Sequence, residues 1–267
     1  MKLFYRKFGE GPSLFILHGL YGSSDNWVTI AKNISKSFTV YLPDLRNHGS
    51  SPHNDIHDYS SLSSDLFELA NELNLRKFFL AGHSMGGKTA VYFAMKWPEM
   101  LDGLLIADIS PFMTVNLRST EYNQGVKILQ TILETDVSSA VSRNDVERLL
   151  SEKIPSAKVR GLIMKNLQRS AENKFTWKIN APSLLNNLEK IMEGLPRPSG
   201  DYSRATGFPV IFLKGEKSDY LPSGDWRDIL KIFPSAELRI VKNAGHWLHA
   251  DNPDEVTEAL LNFLGNG

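Results

Sequence analysis

Ser84 lies in a glycine-rich turn of the kind that presents a nucleophile. The segment 82–86 reads GHSMG, residues 77–82 are typical of a strand, and residues 88–95 are typical of a helix. Glycines let such a turn bend sharply and let strand and helix approach closely, which leaves the serine hydroxyl exposed. The helix N-terminus also offers the Met85 backbone N–H and a favourable dipole to an oxyanion. We therefore predict that Ser84 is a nucleophile and Met85 an oxyanion donor.

The same residues also fit a phosphate-binding loop. Gly82, four further residues and then GKT at 87–89 match the pattern GxxxxGKT, and 104–108 (LLIAD) resembles a strand ending in a magnesium-directing aspartate. Both interpretations require a strand, a turn and a helix, so only residues elsewhere discriminate between them. Nucleotide binding gives no account of the histidine motifs described next, and we favour serine chemistry.

His246 is the candidate general base. It lies in the turn 243–249 (NAGHWLH), which follows a predicted strand and precedes a helix. Parallel sheets place their functional residues beyond the carboxyl ends of the strands, so His246 can meet Ser84 although the two are distant in sequence. We expect the neighbouring His249 to face the surface or the last helix.

A second turn, at 18–20 (HGL), follows the predicted strand 13–18. A backbone N–H in this turn can point back at the nucleophile, and we predict that Leu20 supplies the second oxyanion donor beside Met85. For His18 we expect hydrogen bonds that stabilise the loop rather than proton transfer. These groups together predict acyl transfer through a serine, chemistry that needs no cofactor.

The elements that must position these groups alternate along the chain. Seven short apolar runs predict strands at 2–8, 13–18, 38–42, 77–82, 103–108, 208–214 and 237–242. Five amphipathic stretches predict helices at 27–34, 62–73, 85–97, 225–233 and 253–264. This alternation is typical of an α/β fold, a mostly parallel, doubly wound sheet with helices on both faces.

The strand pattern stops after residue 111. Helical stretches follow one another at 120–133, 145–152 and 159–169. We therefore predict a helical cap, 112–198, inserted into a core of residues 1–111 and 199–267. The segment 195–200 (LPRPSG) carries Pro and Gly where a helix must stop, and we expect it to return the chain to the core.

Charge and composition exclude several classes of partner. Thirty lysines and arginines balance thirty aspartates and glutamates without a long run of one sign, so we expect no nucleic-acid or membrane partner. Residues 1–8 lack the apolar region of a secretory signal, and no apolar run approaches the ~18 residues of a membrane helix. We expect a cytoplasmic protein that acts on small molecules; no feature indicates an oligomeric state. The chain has no cysteine, which excludes a thiol nucleophile.

One loop is rich in metal-ligating residue types. Its members are Asp44, His48, His53, Asp55, His57 and Asp58. Their spacing matches no zinc pattern, and the loop is also rich in serine and asparagine, so we predict a solvated turn without a metal.

Several motifs occur in the order typical of one family. They are HG at 18–19, DLRNHGS at 44–50, GHSMGG at 82–87 and GHW at 245–247. With this set the whole chain resembles the α/β-hydrolases. The segments that resemble the YbfF/ABHD11-like esterase and thioesterase group are 20–27 (LYGSSDNW), 108–111 (DISP) and 244–250 (AGHWLHA). The resemblance implies hydrolysis of a carboxylic ester or acyl thioester by a Ser-His-Asp triad.

Two aspartates compete for the third position of that triad. Asp219 follows the predicted strand 208–214, where this fold usually keeps its acid, but the usual Gly-x-x-Asp pattern places Ser218 at the expected position. Asp108 ends the preceding strand, and relatives with a similar Asp-Ile-x-Pro segment carry the acid there. The resemblance therefore favours Asp108, with Asp219 as the alternative.

Phe112 and Trp247 are the residues that we expect to line an acyl pocket if the cap folds over the site. Two other functions stay open at this point. One is a ligand receptor with this fold and little turnover, and the other is a lyase or haloperoxidase that uses the same triad.

Overall fold

The computed structural model describes residues 1–198 and 204–264, and these ranges contain nine strands. They are β1 (Tyr5–Phe8), β2 (Ser13–Leu17), β3 (Thr39–Pro43), β4 (Phe78–His83), β5 (Leu101–Ala107), β6 (Leu167–Arg169), β7 (Phe175–Trp177), β8 (Val210–Gly215) and β9 (Ala236–Val241). All seven predicted strands are confirmed, with shifts of a few residues at their ends.

Seven of these strands form the main sheet, in the order β1-β3-β2-β4-β5-β8-β9. Only β1 runs antiparallel to its neighbour, so the sheet is mostly parallel, as predicted. The register pairs Leu17 with Gly82, and His83 with Ala107, at the carboxyl ends of adjacent strands. Residues that directly follow β2, β4 and β5 therefore meet along one edge of the sheet.

Eleven α-helices lie in the described ranges. They are α1 (Val28–Ile34), α2 (Tyr59–Glu72), α3 (Met85–Lys96), α4 (Thr120–Glu134), α5 (Arg143–Ser151), α6 (Ala157–Met164), α7 (Ala181–Asn186), α8 (Leu188–Met192), α9 (Trp226–Ile232), α10 (Leu248–Asp251) and α11 (Pro253–Leu264). The five predicted helices of the core are confirmed as α1, α2, α3, α9 and α11. Helix α2 begins earlier than its apolar pattern because the Asp58 carboxylate accepts the Ser61 N–H at 2.8 Å and caps the first turn.

Helices cover both faces of the main sheet. Along β2, Phe15 and Leu17 belong to one buried cluster and Leu14 and Ile16 to another, because successive side chains of a strand point to opposite faces. The first cluster includes the apolar faces of α2 and α3, and the second includes those of α1 and α11. Among the described residues, no helix combines the length and apolarity needed to cross a bilayer.

In its described residues, the segment between β5 and β8 contains helices α4 to α8 and one hairpin. The predicted helices at 120–133 and 145–152 are confirmed as α4 and α5, but the prediction of a helix over 159–169 is wrong beyond Met164. There the Arg143 guanidinium donates to the Met164 and Leu167 carbonyl oxygens, and the chain turns into β6, which pairs antiparallel with β7. The division into core and cap stays a prediction, and residues 199–200 of the predicted return segment lie outside the described residues.

Candidate active site

Ser84 stands between β4 and α3 with a backbone conformation that serine seldom adopts. Its φ is 54° and its ψ is −117°, which costs on the order of 1–3 kcal/mol and persists only where the surroundings impose it. The flanking glycines allow that turn. A Cβ at Gly82 would lie 2.2 Å from the Gly86 carbonyl oxygen, and a Cβ at Gly86 would lie 2.6 Å from the Leu17 carbonyl oxygen.

Ser84, His246 and Asp108 are joined by hydrogen bonds. His246 Nε2 lies 3.0 Å from Ser84 Oγ, and His246 Nδ1 lies 2.8 Å from Asp108 Oδ2. Asp108 is fully buried, whereas 18% of the His246 side chain is exposed. One face of the group is thus accessible from outside, and its anionic end is enclosed.

The Asp108 carboxylate is held by two further donors. The Gly215 N–H donates to Oδ1 at 2.8 Å, and the buried Ser218 hydroxyl donates to Oδ2. A buried carboxylate needs such partners, because an unsatisfied charge away from water is very unfavourable. Asp219 is exposed, and within the described ranges it makes no hydrogen bond or ion pair. The structure therefore brings Asp108, and not Asp219, to His246.

Two residues that sequence reasoning missed hold His246 in place. The Tyr220 ring stacks on the imidazole with centroids 3.7 Å apart and planes 17° apart. His83 Nε2–H donates to the His246 backbone oxygen at 2.7 Å. Burial lowers the pKa of His83 well below its usual value, so His83 is a neutral donor. The position of His83 directly before Ser84 in the GHSMG motif was the one signal in the sequence that could have indicated this role.

The other histidines near the site are buried. His18 Nδ1–H donates to the Gly19 oxygen at 2.9 Å and His18 Nε2 accepts the Leu45 N–H at 3.0 Å, so both nitrogens are engaged within the loop. The expectation that His249 faces the surface or the last helix is wrong. His249 is 8% exposed, and its ring stacks on that of Trp27 with centroids 4.6 Å apart, which removes the faces of both rings from water.

The loop rich in histidine and aspartate is solvated only in part: residues 52–56 are exposed, as predicted, but its other histidines are not. His48 and His57 are fully buried, and their pKa values are lowered by burial, that of His57 to about 3. Asp44 accepts the Ser24 and Ser50 backbone N–H groups. No group of three or more potential metal ligands occurs in the residues that the structure describes.

Leu20 and Met85 both line a cavity next to Ser84. The turn that carries Leu20 packs against the nucleophile, since a Cβ at Gly19 would lie 3.3 Å from Ser84 Cβ. Among the described residues no acceptor takes the Leu20 N–H, and Met85 is the first residue of α3, where an N–H has no partner within its helix. Both groups are available to an oxyanion.

The cavity has a volume of about 190 Å³ and includes Ser84 and His246 in its wall. Most of its other walls are apolar, and several of these residues belong to the predicted cap: Val115, Ile128, Val159, Leu162, Ile191 and Met192. Trp247 lines the cavity, whereas Phe112 does not; Phe112 is 5% exposed and lies beneath the Arg197 guanidinium.

Lys88, the lysine of the phosphate-loop pattern, is engaged elsewhere. Its Nζ donates to the Met113 oxygen at 2.6 Å and to the Glu193 oxygen at 2.7 Å. The side chain is 3% exposed, and burial lowers its pKa to about 7. A lysine whose ammonium group donates to two main-chain carbonyls is poorly placed to bind a nucleotide phosphate. This argues against the phosphate-loop interpretation.

Comparison with known proteins places the chain in a family. The sequence profile of the alpha/beta hydrolase fold matches residues 12–253. The sn-1-specific diacylglycerol lipase ABHD11 of Danio rerio is 34% identical over 96% of this chain and 79% of its own length. The esterase YbfF of Escherichia coli is 26% identical over 95% of this chain and 93% of its own. A solved structure of a marine microorganism esterase superposes with a TM-score of 0.91 and 41% identity, covering 98% of this chain and 99% of that one. The chain therefore belongs to the alpha/beta hydrolase fold family.

Proposed function

We propose that this chain is a serine hydrolase that cleaves carboxylic esters or acyl thioesters. Ser84 is the nucleophile, His246 the general base and Asp108 the acid that orients it. The observation that carries the proposal is the pair of hydrogen bonds, 3.0 and 2.8 Å, that links Ser84 Oγ through the imidazole to a buried carboxylate at the wall of a cavity. The relatives named above as a lipase and an esterase support an ester as substrate.

The reaction proceeds in two halves. Ser84 Oγ attacks the acyl carbonyl carbon while His246 Nε2 takes the hydroxyl proton. The resulting oxyanion accepts hydrogen bonds from the Leu20 and Met85 N–H groups. As the tetrahedral intermediate collapses, the bond to the leaving group breaks, and the alcohol or thiol takes the proton from His246. Asp108 keeps the other proton on Nδ1 and stabilises the imidazolium.

The second half releases the acid. Water enters after the alcohol or thiol has left, His246 removes its proton, and the oxygen attacks the acyl-enzyme carbonyl. Collapse returns the proton to Ser84 and frees the carboxylic acid. Throughout, Tyr220 and His83 hold the imidazole and its backbone, so that one residue serves as base and then as acid without moving far.

The proposal is tested by Ser84→Ala. We expect turnover of p-nitrophenyl butyrate to fall by at least about 10⁴-fold, and labelling by a fluorophosphonate probe to disappear, because the nucleophile is gone. Ser151→Ala, which removes an exposed serine at the end of α5, is the matched control and should keep both signals. Labelling that survives in Ser84→Ala would refute the assignment.

The wild-type chain tests the remaining alternatives. A wild-type chain that stays acylated without turnover would indicate a ligand receptor. Rates on a matched series of esters and acyl-CoA thioesters show whether an alcohol or a thiol is the preferred leaving group.

A further inference from the structure

We propose that Asn166, which lies in the predicted cap, is a positioning residue for the oxyanion loop of the core. The inference rests on the proposed function, because it concerns the Leu20 N–H as an oxyanion donor. Asn166 follows α6 and is not among the residues that line the cavity. Its role is therefore to hold the loop that contacts the reacting atoms, and not to contact them itself.

The oxyanion loop, residues 19–22, is a tight turn with a strained residue at its tip. The Gly22 N–H donates to the Gly19 oxygen at 3.0 Å and closes the turn. Tyr21 has a φ of 64°, in the left-handed region that a bulky side chain seldom occupies. Such a conformation persists only where neighbouring groups hold it. The loop therefore needs external anchors.

Two anchors meet at Tyr21, and both come from the segment between β5 and β8. Asn166 Nδ2 donates to the Tyr21 backbone oxygen at 2.7 Å, and the Tyr21 hydroxyl donates to the Gly125 oxygen in α4 at 3.2 Å. Asn166 is 1% exposed and Tyr21 is 8% exposed, so water does not compete for either hydrogen bond. The segment that covers the site thus also fixes the orientation of the Tyr21–Gly22 peptide plane, which lies in the same tight turn as the Leu20 N–H.

Asn166 is suited to its position as a hydrogen-bond donor, and not as a side chain that fills space. Its own backbone is fixed, because the Asn166 N–H donates to the Ile163 oxygen and its carbonyl accepts the Lys178 N–H at 2.8 Å. Its side-chain oxygen Oδ1 is buried without a hydrogen-bond partner among the described residues. A buried unsatisfied amide oxygen is unfavourable, and an apolar residue of similar size would avoid it. Asn166 therefore contributes at this position through its N–H donor.

Oxyanion donors act over short distances. Removing one donor outright costs about 10²–10³-fold in kcat, and a shift of a fraction of an ångström forfeits part of that. Without the Asn166 donor, Tyr21 loses one of its two anchors and can relax toward an ordinary φ, which rotates the loop that carries the Leu20 N–H. We expect the loss to fall on the transition state, where charge develops on the substrate oxygen, and not on substrate binding.

The test uses Asn166→Leu and a pair of substrates that differ in one atom. An oxygen ester develops an oxyanion, whereas the corresponding thionoester develops charge on sulfur, which accepts hydrogen bonds weakly. We expect Asn166→Leu to lower kcat for the oxygen ester about tenfold, with KM changed less than about twofold, and to lower the thionoester rate much less. The ratio of the two rates, oxygen over sulfur, should therefore fall several-fold. Asn166→Asp keeps the shape and replaces the donor by an acceptor, so it should lower the same ratio and serves if the leucine variant does not fold.

The matched control is Asn187→Leu. Asn187 is also a buried asparagine of this segment, but its side chain donates to the Asp55 and Ser183 backbone oxygens and to no residue of the oxyanion loop. Its replacement should lower the melting temperature and leave the oxygen-to-sulfur ratio unchanged. An unchanged ratio in both folded Asn166 variants would overturn the proposal. Failure of the proposed function itself is separate, since it would appear as ester turnover that survives in Ser84→Ala.

Discussion

At the scale of single residues, the position of the acid depends on one side chain in a tight turn. Ser218 stands where the common pattern of this fold has aspartate, and its hydroxyl donates to Asp108 Oδ2. The next residue, Asp219, is exposed. Spacing along the chain left both aspartates open, because it does not say which way a turn directs each side chain. The hydrogen bonds around Asp108 distinguish them.

We expect Asp108→Asn to lower kcat by several orders of magnitude, up to about 10⁴-fold, because the amide removes the charge that stabilises the imidazolium and favours the wrong tautomer. Asp219→Asn makes the same chemical change at the exposed aspartate and should alter kcat only mildly. Ester hydrolysis by the two purified variants, compared at equal folded fraction by circular dichroism, gives the ranking. The opposite ranking would move the acid to Asp219.

At the scale of elements, α3 joins the nucleophile to the chain segments that lead into and out of the predicted cap. Lys88 lies one turn after Ser84, and its Nζ donates to oxygens of Met113 and Glu193. These two segments also pair directly, through the Val115 N–H to the Met192 oxygen at 2.9 Å. The sequence suggested no role for Lys88 outside a phosphate loop, because its acceptors are main-chain atoms that become neighbours only in the folded chain.

The buried charge of Lys88 makes stability depend on pH. Burial lowers its pKa from 10.5 to about 7 in the folded chain, so between these values the unfolded chain binds more protons, and stability rises with pH. Lys88→Met lacks this titration. We therefore expect the free energy of unfolding of the wild type, minus that of Lys88→Met, to increase from pH 7 to 9 by up to about 1.4 kcal/mol per pH unit.

Urea unfolding at pH 7, 8 and 9 measures that difference. Lys96→Met, which removes an exposed lysine at the end of the same helix, is the control and should show the same pH dependence as the wild type. A constant difference between wild type and Lys88→Met at all three pH values would contradict the prediction.

At the scale of the whole molecule, the parts that the sequence predicts are those that depend on local pattern. The seven strands, the core helices and the turn at Ser84 follow from apolar periodicity and glycine placement. The hairpin of β6 and β7 escaped prediction because three residues per strand are too few to show a period of two. The stacking of Tyr220 on His246 and the bond from Asn166 to Tyr21 escaped it because they join residues far apart in sequence.

The cavity is also a product of the whole chain, since the core supplies Ser84 and the predicted cap supplies much of the apolar wall. We therefore expect the predicted cap to select acyl length. Ile128→Trp in α4 or Leu162→Trp in α6 should fill part of the cavity. A mismatch of one methylene in an apolar pocket is worth about 1–3 kcal/mol. We therefore expect either variant to lower kcat/KM for p-nitrophenyl octanoate about tenfold or more relative to kcat/KM for p-nitrophenyl acetate. Leu133→Trp, at a position of α4 that is 46% exposed, should leave the octanoate-to-acetate ratio unchanged. An equal loss of kcat/KM on both esters in the Ile128 and Leu162 variants would contradict the prediction, because it would show that the acyl chain of the bound substrate does not occupy this cavity.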